Sequence, residues 1–425
     1  MVEGPDRVDL TVIGLGYVGL PLARAAVGAG LRVAGLDASS RVVDGLAAGR
    51  SHVDDLADAE VAAMISAGFT PTGDAAVLAR SDVAVICVPT PLSPEGGPDL
   101  AAVLAAGRSV AAHLQPGMLV VLESTTYPGT TEEVLQPLLE AGGLRAGTDF
   151  DLAFSPERID PGNAVYGIRN TPKVVGGIDA AGTERAAAFY GRFVDSVVRA
   201  RGTREAEMSK LLENTYRHVN IALVNEMARF CHELDIDLWD AISCAASKPF
   251  GFQAFRPGPG VGGHCIPIDP NYLSHRVRTE LGYPFRFVEL AQEINADMPA
   301  YVAGRVAELL AADFLALDGA RVLLLGVTYK ADIADQRESP VVPLARALIG
   351  AGATLTYHDP HVPSWDVGGA TLSAVGDLDA AVADADVTVL TQAHRGYDLA
   401  RIAAGARRLL DTRGVVPAGP NVQRL

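Results

Sequence analysis

The chain has 425 residues, of which 49% are hydrophobic, so it is too long for one ordinary domain and can bury two or three sizeable cores. Fifty-one acidic residues against 35 basic ones leave a net charge of −16. That excludes nucleic acid and an anionic membrane as main partners, and an anionic ligand would need local basic pockets.

Val8 to Ile13 is a short apolar run that reads as a buried strand, and Tyr17 to Ala29 reads as a helix. Leu31 to Leu36 is a second strand, ending at Asp37. Val83 to Val88 and Met118 to Leu122 are further buried strands, followed by Pro- or Ser/Thr-rich loops. This alternation predicts an α/β, doubly wound, parallel sheet. From Thr203 to Glu233 the pattern changes to a long helix with an acidic start. Helical character returns at Phe285 to Leu310, after a Gly/Pro-rich loop from Pro249 to Pro270 that is long enough to expect a function. Strands resume at Arg321 to Leu325, Thr354 to Tyr357, Val387 to Leu390 and Arg408 to Leu410. The expected division is residues 1–202, 203–311 and 312–425: two Rossmann-like domains joined by a central helical region.

Gly14-Leu15-Gly16-Tyr17-Val18-Gly19 lies between the first strand and the first helix. Its glycines allow a tight turn, close approach of a pyrophosphate and helix–strand packing, and the helix N-terminus faces the phosphates. Asp37 is placed for the adenosine ribose hydroxyls and repels a 2′-phosphate, which favours NAD, although Arg41 stands nearby. Pro89 and Thr90, and Ser124 and Thr125, end later strands at the same sheet edge, where each pair either lines the expected cofactor crevice or simply opens a loop with capping hydroxyls.

Cys265 sits in a loop rich in glycine and proline, between His264 and Asp269, and is the candidate nucleophile. Cys87, Cys231 and Cys244 read as inert, buried thiols. The four cysteines have no paired spacing, which points to a reducing cytoplasm without disulfides or zinc. No basic signal-peptide start is present, and the uncharged run from Leu10 to Ala23 is too short and too broken by glycine to span a bilayer. Lys210 and Asn214 are four apart and share one helix face, where an ammonium and an amide can stabilise an oxyanion. The plain alternative is a solvated helix face. Glu157, in Ser155-Pro156-Glu157-Arg158 just past a strand end, can act as base for a water or be an ordinary surface carboxylate. His218, His358, His361 and His394 show no metal spacing, so no metal is assigned.

Together with Tyr329-Lys330-Ala331-Asp332-Ile333 and Arg337-Glu338-Ser339-Pro340, these motifs resemble the UDP-glucose/GDP-mannose dehydrogenase family over nearly the whole chain. The resemblance implies NAD-dependent, four-electron oxidation of the C6 alcohol of a UDP-sugar to a carboxylate. It implies that Cys265 forms a thiohemiacetal and then a thioester, and that Lys210 and Asn214 stabilise the oxygen at C6. Glu157 would promote attack by water, with Asp269 and Thr125 positioning it or moving a proton. The family pattern puts Lys330 and Arg337 near the nucleotide, and Arg158 and Gly262 belong to motifs expected to line the substrate. It further implies a homodimer or higher homo-oligomer through the central region.

Two departures from the UDP-glucose branch matter. His264 and Ile268 stand where that branch has Ser and Lys, and the missing lysine leaves room for a different 2-substituent. The runs Ser155 to Asn163 and Ser247 to Pro270 are closer to the UDP-N-acetylhexosamine branch, which favours UDP-N-acetylglucosamine over UDP-glucose. Arg256 stands where that branch often has an aromatic; it is a candidate phosphate ligand across the dimer, with Lys248 as rival. A non-catalytic nucleotide binder and a single-step hydroxyacid-type dehydrogenase are the alternatives of different class.

Overall fold

The computed structural model describes residues 7–53, 56–93, 97–160, 163, 165–263 and 266–425. Contacts group into two compact units, Met1–Glu213 with Asn271–Leu281, and Asn214–Pro270 with Gly282–Leu425. The first comprises β1 (Leu10–Ile13), α1 (Gly19–Gly28), β2 (Val33–Leu36), α2 (Ser40–Ala47), α3 (Asp58–Ser66), β3 (Thr70–Thr72), β4 (Val83–Ile86), α4 (Ala101–His113), β5 (Leu119–Leu122), α5 (Gln136–Glu140), β6 (Asp151–Phe154), β7 (Lys173–Gly177), α6 (Ala180–Tyr190), β8 (Val197–Arg199) and the start of α7 (Thr203–Glu233).

Its eight strands lie in the order β3-β2-β1-β4-β5-β6-β7-β8. From β3 to β6 every pair is parallel, and β6 and β7 are antiparallel. That antiparallel step departs from the all-parallel expectation. Strands β1, β2, β4 and β5 are buried end to end, which is why they read as continuous apolar runs. Apolar clusters cover both faces of the sheet. One contains Leu10, Val12 and Leu20, the other Ile13, Ile86 and Val110. The chain order reverses between β1 and β4, and ligands of open α/β sheets bind in the crevice beyond the strand ends at such a point.

The second unit continues with α8 (Leu238–Ala246), the first residues of α9 (Asp269–Leu281), α10 (Arg286–Ala311), β9 (Arg321–Leu325), α11 (Val341–Gly350), β10 (Thr354–His358), β11 (Ser364–Val367), β12 (Ala370–Ser373), α12 (Leu378–Asp384), β13 (Val387–Leu390), α13 (Leu399–Gly405), β14 (Leu409–Asp411) and β15 (Val422–Arg424). Five strands form a parallel sheet in the order β10-β9-β13-β14-β15, with its own switch between β9 and β13. Strands β11 and β12 pair separately as an antiparallel hairpin. No described helix is long and apolar enough to cross a membrane.

Candidate active site

In the first unit, the turn after β1 has the geometry the glycine motif requires. Gly14 adopts φ +90°, and a Cβ there would lie 2.6 Å from the Cys87 carbonyl oxygen. A Cβ on Gly19 would lie 1.8 Å from the Gly14 oxygen, so α1 can pack this closely only as glycine. Around Gly16 a Cβ would meet nothing within 4 Å. The motif therefore leaves open space at its middle glycine, flanked by half-buried Tyr17 and Val18.

Asp37 braces this turn. Its carboxylate accepts from Leu15 N and from Ser39 N, each at 2.9 Å. A carboxylate offers about four lone-pair sites, so two remain for a ribose. Arg41 is exposed on α2. The loops after β4 and β5 hold each other: Thr90 Oγ1 donates to Thr125 O at 2.7 Å, and Ser124 Oγ donates to Val88 O at 2.7 Å. Tyr272, on α9, donates its hydroxyl to Thr90 O. Pro89 is exposed between them. Beneath this edge, Glu123 is buried and accepts from Lys173 and from Tyr190 Oη (2.6 Å). Burial pushes the Glu123 carboxyl up, against the pull of Lys173.

Past β6, Glu157 is nearly buried, as is Lys210 on α7. Lys210 Nζ donates to the Glu157 backbone oxygen at 2.7 Å and lies 3.2 Å from its carboxylate. Glu157 also accepts from Ile159 N. Arg158 donates to Pro172 O (3.0 Å) and to Glu213.

In the second unit, Asn214 Nδ2 donates to Asp269 Oδ2 at 2.5 Å, and both side chains are buried. Asp269 begins α9, and Lys210 lies one turn before Asn214 on α7. The loop leading to Asp269 packs against the segment after β9. Gly263 N donates to Arg337 O at 3.1 Å, and a Cβ on Gly262 would come within 2.7 Å of Glu338 O and of Tyr329. Cys265 and His264 lie outside the described residues.

Lys330 is half-buried in that segment. Arg337 is exposed and forms an ion pair with Asp335 at 2.6 Å. Arg256 is exposed and lies 5.7 Å from the centroid of the Trp239 ring, while Lys248 sits 4.9 Å from that of Phe250.

Three sequence readings need correction or addition. Cys244 is exposed on α8, because its position falls on the outer side of an amphipathic helix. Cys231 and Cys87 are buried, and burial pushes the Cys87 thiol up. His361 and His394 do meet: their ring nitrogens and an Asp332 carboxylate oxygen lie within 4.8 Å of one another. Both nitrogens of His394 are engaged, one accepting from Asp332 N (2.9 Å) and the other 3.0 Å from Asp359. A metal would have to displace those bonds. Finally, Arg413 follows β14, and burial lowers its pKa. Its guanidinium would lie 3.0 Å from a Cβ on Gly258. The same signal that marked Lys330, a cation just past a strand end, could have found it.

Three models of the UDP-glucose/GDP-mannose dehydrogenase family match in series: the NAD binding domain at residues 8–194, the central domain at 204–297 and the UDP binding domain at 323–418. The chain belongs to this family. It is therefore an NAD-dependent oxidoreductase acting on nucleotide sugars. Among its relatives, the UDP-N-acetyl-D-mannosamine dehydrogenase of Methanococcus maripaludis is 33% identical over 395 residues, covering 92% of this chain and 87% of that one. The UDP-N-acetyl-D-glucosamine 6-dehydrogenase of Pseudomonas aeruginosa is 35% identical over 362 residues, covering 84% of each. The solved UDP-N-acetylmannosamine dehydrogenase structure from Pyrococcus horikoshii superposes with a TM-score of 0.88 at 32% identity, covering 98% of both chains. The open space at Gly16 and the Asp37 carboxylate fit the pyrophosphate and ribose of the NAD that this family uses.

Proposed function

We propose that the protein oxidises the C6 alcohol of UDP-N-acetylglucosamine to the carboxylate through a thioester on Cys265. The observation that carries this reading is the pairing of buried polar groups at the motif positions: Lys210 with Glu157, and Asn214 with Asp269. Buried charges of this kind are rare unless paired or functional.

NAD, when bound at the first unit, supplies the hydride acceptor for both oxidations. The Cys265 thiol adds to the C6 aldehyde. Lys210 and Asn214 donate hydrogen bonds to the C6 oxygen as it gains negative charge. Loss of the C6 hydride and, to solvent, of the C6 hydroxyl proton from the thiohemiacetal leaves a thioester, and water then releases the acid and the thiol. Glu157 takes the proton of that water. Asp269 holds the Asn214 amide in place through the 2.5 Å bond, and Thr125 orients the water. Lys330, Arg337 and Arg413 supply the positive charge for the UDP, and Gly262 allows the close backbone approach. The UDP-uronate product serves polysaccharide or glycoside synthesis.

The N-acetyl preference is supported by Ile268, which replaces a lysine of the UDP-glucose branch, and by the N-acetyl sugars in the relatives' names. The C2 epimer UDP-N-acetylmannosamine is the second reading, favoured by the name of the Methanococcus relative. Purified protein with NAD and each UDP-sugar in turn tests both. Two NADH per sugar with UDP-N-acetylglucosamine is the expected result. One NADH per sugar overturns the thioester, and turnover of only UDP-N-acetylmannosamine or UDP-glucose overturns the assigned sugar.

We further propose a homodimer through α7. Met208, Leu212, Tyr216, Leu223 and Phe230 are all exposed and recur at steps of four and seven, which aligns them on one helix stripe. An exposed apolar stripe of this length needs a cover.

A further inference from the structure

His218 lies on α7 one turn beyond Asn214, so Asn214 and His218 share one helix face. The side chain is 98% buried (2% exposed), yet neither ring nitrogen has a hydrogen-bond partner among the described residues. The neighbouring Thr215 hydroxyl is buried in the same condition. Buried polar atoms are nearly always paired, so three such atoms in a single turn mark a place where a partner belongs.

The backbone at His218 is held by a polar relay that reaches the glycine-rich loop. Asn295 Nδ2 on α10 donates to the His218 backbone oxygen at 3.4 Å, and its Oδ1 accepts from Asn225 Nδ2 at 2.9 Å. Asn225 Oδ1 in turn accepts from Gly258 N at 2.9 Å. The loop that leads to Cys265 is thereby tied to the part of α7 and α10 that carries His218. Burial lowers the imidazole pKa to about 4, so at neutral pH the ring is uncharged, with one donor and one acceptor.

We propose that His218 is a substrate-positioning residue whose imidazole hydrogen-bonds the 2-acetamido group of the sugar. One turn of helix separates it from Asn214, a rise of about 6 Å. That matches the span from the C6 oxygen of a hexopyranose to its C2 substituent. The inference rests on the reading of Asn214 as a C6 ligand and of the substrate as an N-acetylhexosamine.

The test is calorimetric binding of UDP-N-acetylglucosamine, UDP-glucose and UDP to the wild type, His218→Ala and His218→Asn, alongside the melting temperature of each. Affinity of His218→Ala for UDP-N-acetylglucosamine should fall about tenfold, the loss of one good hydrogen bond. Affinity for UDP and UDP-glucose should stay within about twofold, and His218→Asn should recover part of the loss. Equal weakening toward UDP, or a lowered melting temperature with unchanged affinities, overturns the proposal. If the wild type itself binds UDP-N-acetylglucosamine no better than UDP, the substrate reading fails, and the failure is visible before any variant is compared.

Discussion

Lys210 Nζ sits 2.7 Å from the backbone oxygen of Glu157 and 3.2 Å from its carboxylate, with both side chains less than a tenth exposed. One ammonium thus fixes both the backbone and the side chain of the residue proposed to activate water. Removing one member of a buried pair leaves the other charge uncompensated, at about 3–5 kcal/mol. Lys210→Ala should therefore lower the melting temperature as well as activity. Lys210→Arg keeps the charge and should recover stability more than kcat. If Lys210→Ala were as stable and active as the wild type, the pair would be incidental.

Glu157→Gln should separate the two halves of the reaction. On the proposed mechanism the oxidations do not need its carboxylate, whereas hydrolysis of the thioester does. Rapid-mixing kinetics should show a burst of NADH, then a steady rate reduced about 100-fold or more. Mass spectrometry of the quenched enzyme should find the sugar attached. A variant that turns over without a burst would move the base role to another residue.

The glycines of the first turn should divide by consequence. Gly14→Ala and Gly19→Ala force a Cβ to within 2.6 Å and 1.8 Å of backbone oxygen, so both should be strongly destabilised. Gly16→Ala meets open space and should fold normally, and if the pyrophosphate binds at this turn the methyl should reduce NAD affinity about tenfold or more. Melting curves with and without NAD distinguish these outcomes. Unchanged NAD affinity in Gly16→Ala would remove the phosphate from this turn.

Glu207 is fully buried on α7 and accepts from Gly129 N (2.6 Å), Thr131 N (2.9 Å) and Thr131 Oγ1 (2.7 Å). Burial still raises its pKa from 4.5 to about 7, the three donors opposing the shift. Because the folded value lies above the unfolded one, the fold holds the proton longer. Its contribution is largest below about pH 4.5, declines as pH rises through about 7, and is constant above. The stability advantage of wild type over Glu207→Gln should shrink between about pH 5 and about pH 8 in melting experiments. A pH-independent difference would mean the carboxylate stays ionised throughout.

The stripe of Leu223 and Phe230 gives an assembly prediction. Leu223→Asp with Phe230→Asp should convert a dimer into a monomer in light scattering, because a charge opposed to an apolar partner loses its hydration. A wild type that is already monomeric at micromolar concentration would refute the dimer.

Much of this architecture is decided locally and is therefore legible in the residues. The Gly14–Gly19 turn is set by its own backbone demands, and β1, β2, β4 and β5 are continuous apolar runs because both their faces are covered. The helix Thr203–Glu233 follows from a long stretch without breakers, and its period alone puts Lys210 and Asn214 on one face. Sequence cannot choose partners across long separations. The antiparallel step from β6 to β7, the meeting of Asp332, His361 and His394, the hold of Glu207 on Gly129 and Thr131, and the exposure of Cys244 all depend on which elements pack together. His218 makes the same point most sharply. In sequence it is one histidine among nine, and only the tertiary packing around α7, which brings α10 to its backbone, buries it one turn from Asn214 with its nitrogens unpaired among the described residues. Periodicity and turn chemistry act over a few residues, whereas burial and pairing are properties of the assembled core.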